Sequence, residues 1–382
     1  MAQTTYESIS TKQTLNRVKE ERMPFDWSIN PYRGCGHGCS FCYARAFQSF
    51  IGMGAEDEFQ HHIFMKTNAA EALAKQLSDA AAKFGHDIEA MRRSIGQVTI
   101  GTATDPYQPI EGKAEITREC LKLLAKYRIS TSITTRSPLV LRDMDILTRM
   151  EDVSVNISLN TLDADLIRKL EPASPHPASR LEAVWRLSSA GIRTGVFAAP
   201  VLPYLTDGEE GLRELLSRVK EHGASFAMIS LLRLSRDVKK WYMETLKLHF
   251  PEVVQSYREL YRAGAYAEEQ YVRSFKMMAA RLLSEYGLEW MAAKRTENPS
   301  TGYYDPATGG KASGLAEGIG SGNVAGAGPH ALSGSAGYKE GEERDREAAP
   351  SLSTRRRKLP EPAAPVSAEE LKPEVEQLSF PF

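Results

Sequence analysis

Six β-rich runs, each followed by a stretch of helical periodicity, dominate the first 232 residues of the chain. The runs are 27–34 (WSINPYRG), 97–102 (QVTIGT), 129–135 (ISTSITT), 153–159 (VSVNISL), 194–200 (TGVFAAP) and 226–232 (FAMISLL). Apolar residues at helical spacing occupy 43–50, 69–84, 116–127, 139–150, 163–170, 178–190 and 209–221 between them. A strand pairs in parallel with its successor only through a long crossover, usually a helix, and such crossovers are right-handed. The alternation therefore predicts an α/β chain with a parallel sheet, either open and doubly wound or curled into a partial barrel. In both, the loops at the carboxyl ends of the strands carry the chemistry.

From about Asp237 to Trp290 the alternation gives way to consecutive helices bearing Trp241, Tyr242, Tyr257, Tyr261, Tyr266 and Tyr271, which predicts a helical cap on the sheet domain. Beyond Thr296 the chain turns rich in Gly, Ala, Ser, Pro and charge, a composition that cannot bury enough apolar surface to offset its ordering entropy, so 305–372 is expected to be disordered. The basic run Arg355, Arg356, Arg357 and Lys358 reads most simply as a solvated charge cluster in that tail, the alternative being contact with a polyanion. The expected organisation is an N-terminal extension (1–26), an α/β domain (27–235), a helical cap (236–296), a linker (297–376) and a terminal peptide (377–382).

With 382 residues and 42% hydrophobic content the chain has material for one large α/β domain plus accessories. A formal net charge of −1 neither marks nor excludes a nucleic-acid partner, since a local basic groove vanishes in such a sum. The first 27 residues hold no apolar run of signal-peptide length, and no segment reaches a membrane span, so a cytoplasmic protein is expected. Three of the four cysteines crowd into eight residues while Cys120 stands apart, a poor disulfide layout and a good metal layout for a reducing compartment.

That crowded segment, Asn30-Pro31-Tyr32-Arg33-Gly34-Cys35-Gly36-His37-Gly38-Cys39-Ser40-Phe41-Cys42-Tyr43-Ala44, spaces its thiols as Cys-x3-Cys-x2-Cys in a glycine-loosened loop after the first strand. Three thiolates on a four-iron cube leave one iron open, and an open iron can chelate an amino and a carboxylate group, where a fourth cysteine would close the centre for electron transfer. S-adenosylmethionine (SAM) offers that amino acid moiety. A structural zinc site with His37 as fourth ligand is the alternative; zinc favours two separated ligand pairs, and the second pair is missing here.

Cys35, Cys39 and Cys42, with Phe41 just before the last cysteine, resemble the signature of the radical SAM superfamily. The flanking Asn-Pro-Tyr-Arg-Gly-Cys and Cys-Tyr-Ala, the run Thr104-Asp105-Pro106-Tyr107-Gln108-Pro109-Ile110-Glu111, and Leu170-Glu171-Pro172 before Arg180-Leu181 are similar to the spore photoproduct lyase-like branch, also described as DNA repair photolyase-like. The resemblance covers about 15–290. It implies a partial (β/α)6 TIM-type barrel with a C-terminal helical extension, a [4Fe–4S] cluster on the three cysteines, and SAM as cofactor. It further implies reductive cleavage of SAM to methionine and a 5′-deoxyadenosyl radical that abstracts hydrogen from a substrate, with an electron donor such as flavodoxin or ferredoxin. The cofactor performs the hard chemistry while the protein positions and shields it.

Carried onto this chain, the resemblance puts Phe41 and Tyr43 near the adenine, and Gly101 and Thr102 at the strand end that meets the methionine amino group. Ser158 and Asn160 end the fourth strand with short polar side chains suited to ribose hydroxyls or the carboxylate, or else serve as turn and cap residues before Asp163. Glu171 and Arg180 are similar to a Glu and an Arg near SAM in this branch, or form a surface ion pair. Arg136 ends the third strand where many relatives carry lysine, and its planar fork is not interchangeable with an ammonium. Asp105, Tyr107, Gln108 and Glu111 make a dense polar cluster on a loop stiffened by Pro106 and Pro109, expected to line the substrate or SAM, the alternative being solvated side chains on a stiff turn.

The photoproduct lyases return hydrogen through a cysteine near the end of the second strand. Thr102-Ala103-Thr104-Asp105 holds none here, and Cys120 falls within a helix as a small apolar filler. Repair of spore photoproduct itself is therefore not expected. The terminal Gln377-Leu378-Ser379-Phe380-Pro381-Phe382 resembles the short peptides by which bacterial repair proteins dock on the replicative sliding clamp, a tethered anchor whose Leu and Phe side chains fill an apolar groove. Three functions remain open from the sequence: a radical SAM enzyme acting on nucleic acid, one modifying a protein, peptide or small molecule, and a non-catalytic iron–sulfur binding module.

Overall fold

The computed structural model describes residues 3–20 and 23–289, together with two short strands, Tyr303–Asp305 and Gly310–Ala312, paired antiparallel. That pair opens the stretch expected to be disordered; the rest of the linker, a second unit at Gly314–Glu376 and the peptide Gln377–Phe382 lie outside the described residues. The ten strands that precede it are β1 (Thr5–Ile9), β2 (Asn16–Arg17), β3 (Trp27–Ile29), β4 (Tyr32–Arg33), β5 (His62–Lys66), β6 (Val98–Ile100), β7 (Thr131–Thr135), β8 (Val153–Ser158), β9 (Arg193–Val201) and β10 (Phe226–Leu231).

The main sheet runs β10-β9-β8-β7-β6-β3-β2. Its strands from β3 to β10 are parallel and in sequence order, the topology of a partial (β/α)6 barrel, and only β2 is antiparallel, on the outer edge of β3. Each crossover lays a helix on the outside. Leu73 and Leu77 of Ala69–Lys83, Leu121 and Leu124 of Ile116–Lys126, Val184 and Leu187 of Pro177–Ser189, and Leu215 and Val219 of Glu209–Glu221 are all 0–1% exposed in one core. They meet Val98, Ile100, Ile133, Val155, Ile157 and Val196 from the sheet, each a buried side chain that leaves water for a gain of about 1.5–3 kcal/mol.

Because side chains alternate across a strand, the other face carries the intervening residues. In register across the sheet these are Ser28, Thr99, Ser132 and Ser154, and one step further along Thr134 and Asn156. The inner face is thus polar from β3 to β8, and Gly195 and Phe197 of β9 with Phe226 and Met228 of β10 continue it as an apolar side. Asn156 donates to the Ser132 hydroxyl at 3.0 Å, while its own Oδ1 and the Thr99 hydroxyl are buried without a hydrogen-bond partner among the described residues. Unpaired buried polar atoms on an inner barrel face mark where a ligand or ordered water completes the structure.

The expected first strand, 27–34, divides in two. Asn30 and Pro31 break it, β3 stays in the barrel, and β4 turns away to pair antiparallel with β5, which pairs parallel with β1. Proline lacks the N–H that would continue the ladder, and its carbonyl instead accepts the Lys66 amide at 3.1 Å. The N-terminal stretch therefore contributes a strand to an accessory three-stranded sheet, which its polar sequence did not announce. Past the barrel, helices Arg236–His249, Val254–Leu260 and Glu269–Glu285 follow one another, and Tyr242, Tyr257 and Tyr261 are fully buried. Among the described residues no helix is long and apolar enough to cross a membrane.

The two faces of β7 give a direct check. Ile133→Ala is expected to destabilise the fold by about 2–5 kcal/mol in urea unfolding, the cost of a core cavity. Ser132→Ala, on the inner face, should change the unfolding midpoint far less and register instead in the binding of the ligand that fills the barrel.

Candidate functional site

The loop Gly34–Cys42 leaves the barrel at the carboxyl end of β3 and is held in shape by the loop that follows β6. Gly34 takes φ +77°, and a side chain there would strike the His62 carbonyl at 2.7 Å. Its own carbonyl accepts the Thr104 hydroxyl at 2.6 Å. Gln108, 1% exposed, accepts the Gly36 amide at 2.9 Å through Oε1 and donates to the Thr104 hydroxyl at 3.2 Å. Asn30 joins the two strand ends, donating to the Thr102 hydroxyl at 2.9 Å and accepting the Ala103 amide at 2.7 Å.

Asp105 ties three segments together. Its Oδ1 accepts the Tyr107 amide at 2.8 Å and the Thr135 hydroxyl at 2.6 Å; its Oδ2 accepts the Arg136 amide at 2.9 Å and faces His37 Nε2 at 3.3 Å. Burial alone would raise this carboxyl's pKa, but the His37 ring, the Thr135 hydroxyl and the Arg136 amide outweigh it and hold it at about 2. The other ring nitrogen of His37, Nδ1, lies 3.2 Å from the Ala173 carbonyl. Nε2 faces the carboxylate without forming a proper hydrogen bond, and no three His, Cys, Asp or Glu side chains converge on one ion among the described residues, so His37 is placed as a brace of the loop and not as the fourth ligand of a zinc site.

The far side of the loop rests on 170–176. Ser40 donates its amide to the Leu170 carbonyl at 2.8 Å, and Ala173 donates to the His37 carbonyl at 3.3 Å. Arg180 was expected either near SAM or in a surface pair; it is wholly buried. It donates to Glu171 Oε2 at 2.7 Å, to the Ser158 carbonyl at 3.0 Å and to the Pro175 carbonyl at 2.8 Å, fixing this segment to the end of β8. Glu171 also faces Arg136 at 3.8 Å, and these two guanidinium groups overcome the effect of burial to keep its carboxyl below the usual range. Arg136 reaches across to donate to the Cys39 thiol.

Cys35 and Cys39 are buried and Cys42 half-buried, and burial pushes the Cys35 thiol up to about 12 and those of Cys39 and Cys42 upward as well. Such thiols ionise only when a cation displaces their protons, which is what iron does. Among the described residues no three His, Cys, Asp or Glu side chains converge as a single ion would require. A cube makes a different demand, because each thiolate takes its own iron. Two buried thiols and one half-buried, in one glycine-shaped loop and close enough to act on one another electrostatically, fit that demand.

The remaining expected residues divide. Gly101 has φ +95°, and a side chain would collide with the Thr134 carbonyl at 2.4 Å and the Pro106 ring at 2.7 Å, so glycine is what lets this strand end pack against β7 and the loop after β6. Tyr43 donates its phenol to the Thr102 carbonyl, and Thr102 is buried beside it. Asn160 donates to the Pro200 carbonyl at 3.0 Å and keeps a buried, unpartnered Oδ1 as an acceptor. Ser158 lies on the inner face at the end of β8. Phe41, expected near the adenine, is 4% exposed and packs edge-on against Tyr242 with centroids 6.5 Å apart. Tyr107 and Glu111, expected to line the substrate, are fully buried. Tyr107 donates to Asp143 at 3.0 Å; Glu111 accepts the Tyr32 phenol, the Thr117 amide at 3.0 Å and Arg142 at 2.7 Å. They belong to an internal ion network that stiffens the loop. Proline punctuation located that loop, but which side chains turn inward depended on Arg142 and Asp143 from another crossover. Asn30, His37, Thr104, Thr135 and Arg45 complete the site; only their nearness to the cysteines or the strand ends could have drawn attention to them.

With this geometry in view, the comparisons agree. The model of the radical SAM superfamily matches 29–219. An uncharacterized protein of Mycobacterium tuberculosis is 33% identical over 288 residues, covering 74% of this chain and 82% of that protein. An uncharacterized protein of Methanocaldococcus jannaschii is 30% identical over 201 residues, covering 53% and 69%. The chain belongs to the radical SAM superfamily, and is an enzyme whose cofactors are a [4Fe–4S] cluster and SAM. Its fold is shared with spore photoproduct lyase complexed with dinucleoside spore photoproduct, at TM-score 0.53 and 17% identity over 74% of this chain and 79% of the other.

Asp105→Asn should show how far the loop depends on its brace. An amide in that position confronts buried donors with an N–H group, and the expected loss is about 3–5 kcal/mol of stability, read by thermal unfolding, with lower iron content after reconstitution.

Proposed function

We propose that this chain cleaves SAM reductively and directs the radical at nucleic acid carrying an unstacked base, as a lyase-like enzyme. When bound, the cluster supplies the electron that splits the carbon–sulfur bond of SAM. The chain's own residues prepare for it: Arg136 places its guanidinium at Cys39, Asn160 offers a buried acceptor, and Thr99 and Asn156 keep unpartnered polar atoms on the inner face.

The observation that carries the nucleic-acid reading is the rim of the barrel mouth. The loops after β9 and β10 open on the same side as the cysteine loop, as parallel strands require. One presents Tyr204, 44% exposed and held at φ +62°, and the other presents Arg233 with its guanidinium 5.2 Å from the ring of Tyr266, itself 63% exposed. Among the described residues no carboxylate pairs with Arg233, and its Nε is buried without an acceptor. An exposed phenol ring beside an unpaired guanidinium, with a second exposed phenol on the loop of the adjacent strand, suits stacked bases and phosphate. Two relatives' names add support: the solved lyase is described with a dinucleoside spore photoproduct, and a Pseudomonas phage M6 protein 22% identical over 263 residues is named a radical SAM Nalpha-GlyT isomerase, of which this chain spans 51%. Cys120 is fully buried in the helix Ile116–Lys126, in keeping with a filler and not a hydrogen donor.

Anaerobic reconstitution, reduction with dithionite and assay of 5′-deoxyadenosine tests the reading. Cys35→Ala, Cys39→Ala and Cys42→Ala should each abolish cleavage. Single-stranded or damaged DNA should raise turnover, and Tyr204→Ala and Arg233→Ala should each weaken DNA binding by about tenfold in anisotropy titrations, with iron content unchanged. DNA that leaves turnover unaffected in a sample with full iron content favours modification of a protein, peptide or small molecule instead.

Two partners belong to the same proposal. The required electron comes from a carrier of the flavodoxin or ferredoxin class, and Gln377–Phe382, outside the described residues, docks on the sliding clamp. Deleting those six residues should abolish capture by purified clamp while SAM cleavage persists; loss of cleavage would assign them to the catalytic domain.

A further inference from the structure

Arg45 is a buried cation without an anion. It lies three residues past Cys42 on the 3₁₀ helix Tyr43–Ile51 and is 0% exposed. Its Nε donates to the Cys39 carbonyl at 2.7 Å; its Nη2 donates to the Gly38 carbonyl at 2.8 Å and to Gln60 Oε1 at 2.9 Å; its Nη1 donates to the carbonyls of Glu56 at 2.7 Å and Ala55 at 3.0 Å. The rings of Phe59 and Trp241 lie 5.0 and 5.2 Å from the guanidinium carbon. Every acceptor is neutral, and among the described residues no carboxylate lies within ion-pair distance.

The contrast with the chain's other fully buried arginine is direct. Arg180 pairs with Glu171 at 2.7 Å, the arrangement by which a protein ordinarily neutralises an interior guanidinium. An unpaired interior charge costs several kcal/mol even after relaxation, and carbonyl dipoles recover only part of that. Asp57 acts on it only from beyond ion-pair distance, so a nearer opposite charge is missing. Two of Arg45's acceptors are backbone carbonyls of the cysteine loop itself, so the missing anion sits on that loop. Three thiolates outweigh the positive charge of a four-iron core, which makes the loaded site anionic, and reduction makes it more so.

We propose that Arg45 is the fixed counter-charge of the iron–sulfur cluster, a positioning residue that shapes the cysteine loop and also favours entry of the electron. A cation in a dry, low-dielectric setting stabilises the reduced, more negative cluster over the oxidised one, and so raises its reduction potential. Arg136 also reaches the loop, donating to the Cys39 thiol, but its guanidinium has Glu171 3.8 Å away, whereas Arg45 has no carboxylate at ion-pair distance among the described residues. The step involves one electron, delivered by an external low-potential carrier or by dithionite, and no bond or proton changes at Arg45. The inference depends on the cluster and not on the identity of the substrate.

The experiment is a mediated redox titration of the reconstituted full chain, followed by electron paramagnetic resonance of the reduced cluster, with iron content measured in parallel. Arg45→Met removes the charge and keeps most of the bulk; Arg45→Lys keeps the charge and gives up most of the five hydrogen bonds. The methionine variant should either lose the cluster or show an equilibrium constant for reduction at least tenfold lower, about 59 mV in midpoint per tenfold. The lysine variant should load iron as the parent does and titrate within threefold of it. A methionine variant with four irons and the parent's potential overturns the proposal. So does a lysine variant that fails to load or titrates tenfold below the parent, since hydrogen bonding alone would then account for Arg45.

Discussion

Everything at the mouth of this barrel hangs on one buried carboxylate. Asp105 accepts the Thr135 hydroxyl and the amides of Tyr107 and Arg136 while facing the His37 ring, and so it binds the cysteine loop to the ends of the second and third barrel strands. A carboxylate held ionised inside a protein must be met by donors on several sides, and each donor is thereby fixed in place. Thr104 and Gln108, from the same loop, then set the backbone of Gly34 and Gly36. The cysteine loop has little apolar content of its own and takes its shape from polar contacts with its neighbours.

Charge at the site is arranged in two separate systems. Glu171 lies between Arg136 and Arg180 on the cluster side, while Glu111, Arg142, Asp143 and Arg118 form a second network beneath the loop, with Arg118 2.7 Å from Asp143. The second is nearly closed upon itself, and it makes the loop after β6 rigid without presenting charge to a ligand. The first leaves Arg136 directed at a thiol. Arg45 stands outside both, held only by neutral groups.

The sheet separates structural from chemical roles by face. Its outer side is aliphatic and packed by helices; its inner side is lined by Ser, Thr and Asn from β3 to β8 and by Phe197, Phe226 and Met228 beyond. Hydroxyl and amide groups in an enclosed space favour a polar ligand such as SAM, and they lie beneath strand ends whose loops carry Tyr204 and Arg233 toward the exterior.

The sequence alone determined the parallel α/β architecture and the three thiols of the cluster, because these depend on local periodicity and on spacing within one loop; the order of the strands came from the tertiary structure. The polar inner face was also written there, in the alternation of TSITT and VSVNIS. Only the tertiary structure decided which charged residues serve the site. Tyr107 and Glu111 turn inward because Asp143 and Arg142 arrive from a later crossover, Arg180 is spent on the Ser158 carbonyl, and Phe41 belongs to the packing around Tyr242. The short break at Pro31 and the pairing of β1 with β5 were likewise settled by partners some 30 to 60 residues away. A side chain's role follows from what lies opposite it, and in a parallel barrel the opposite residue is always distant along the chain.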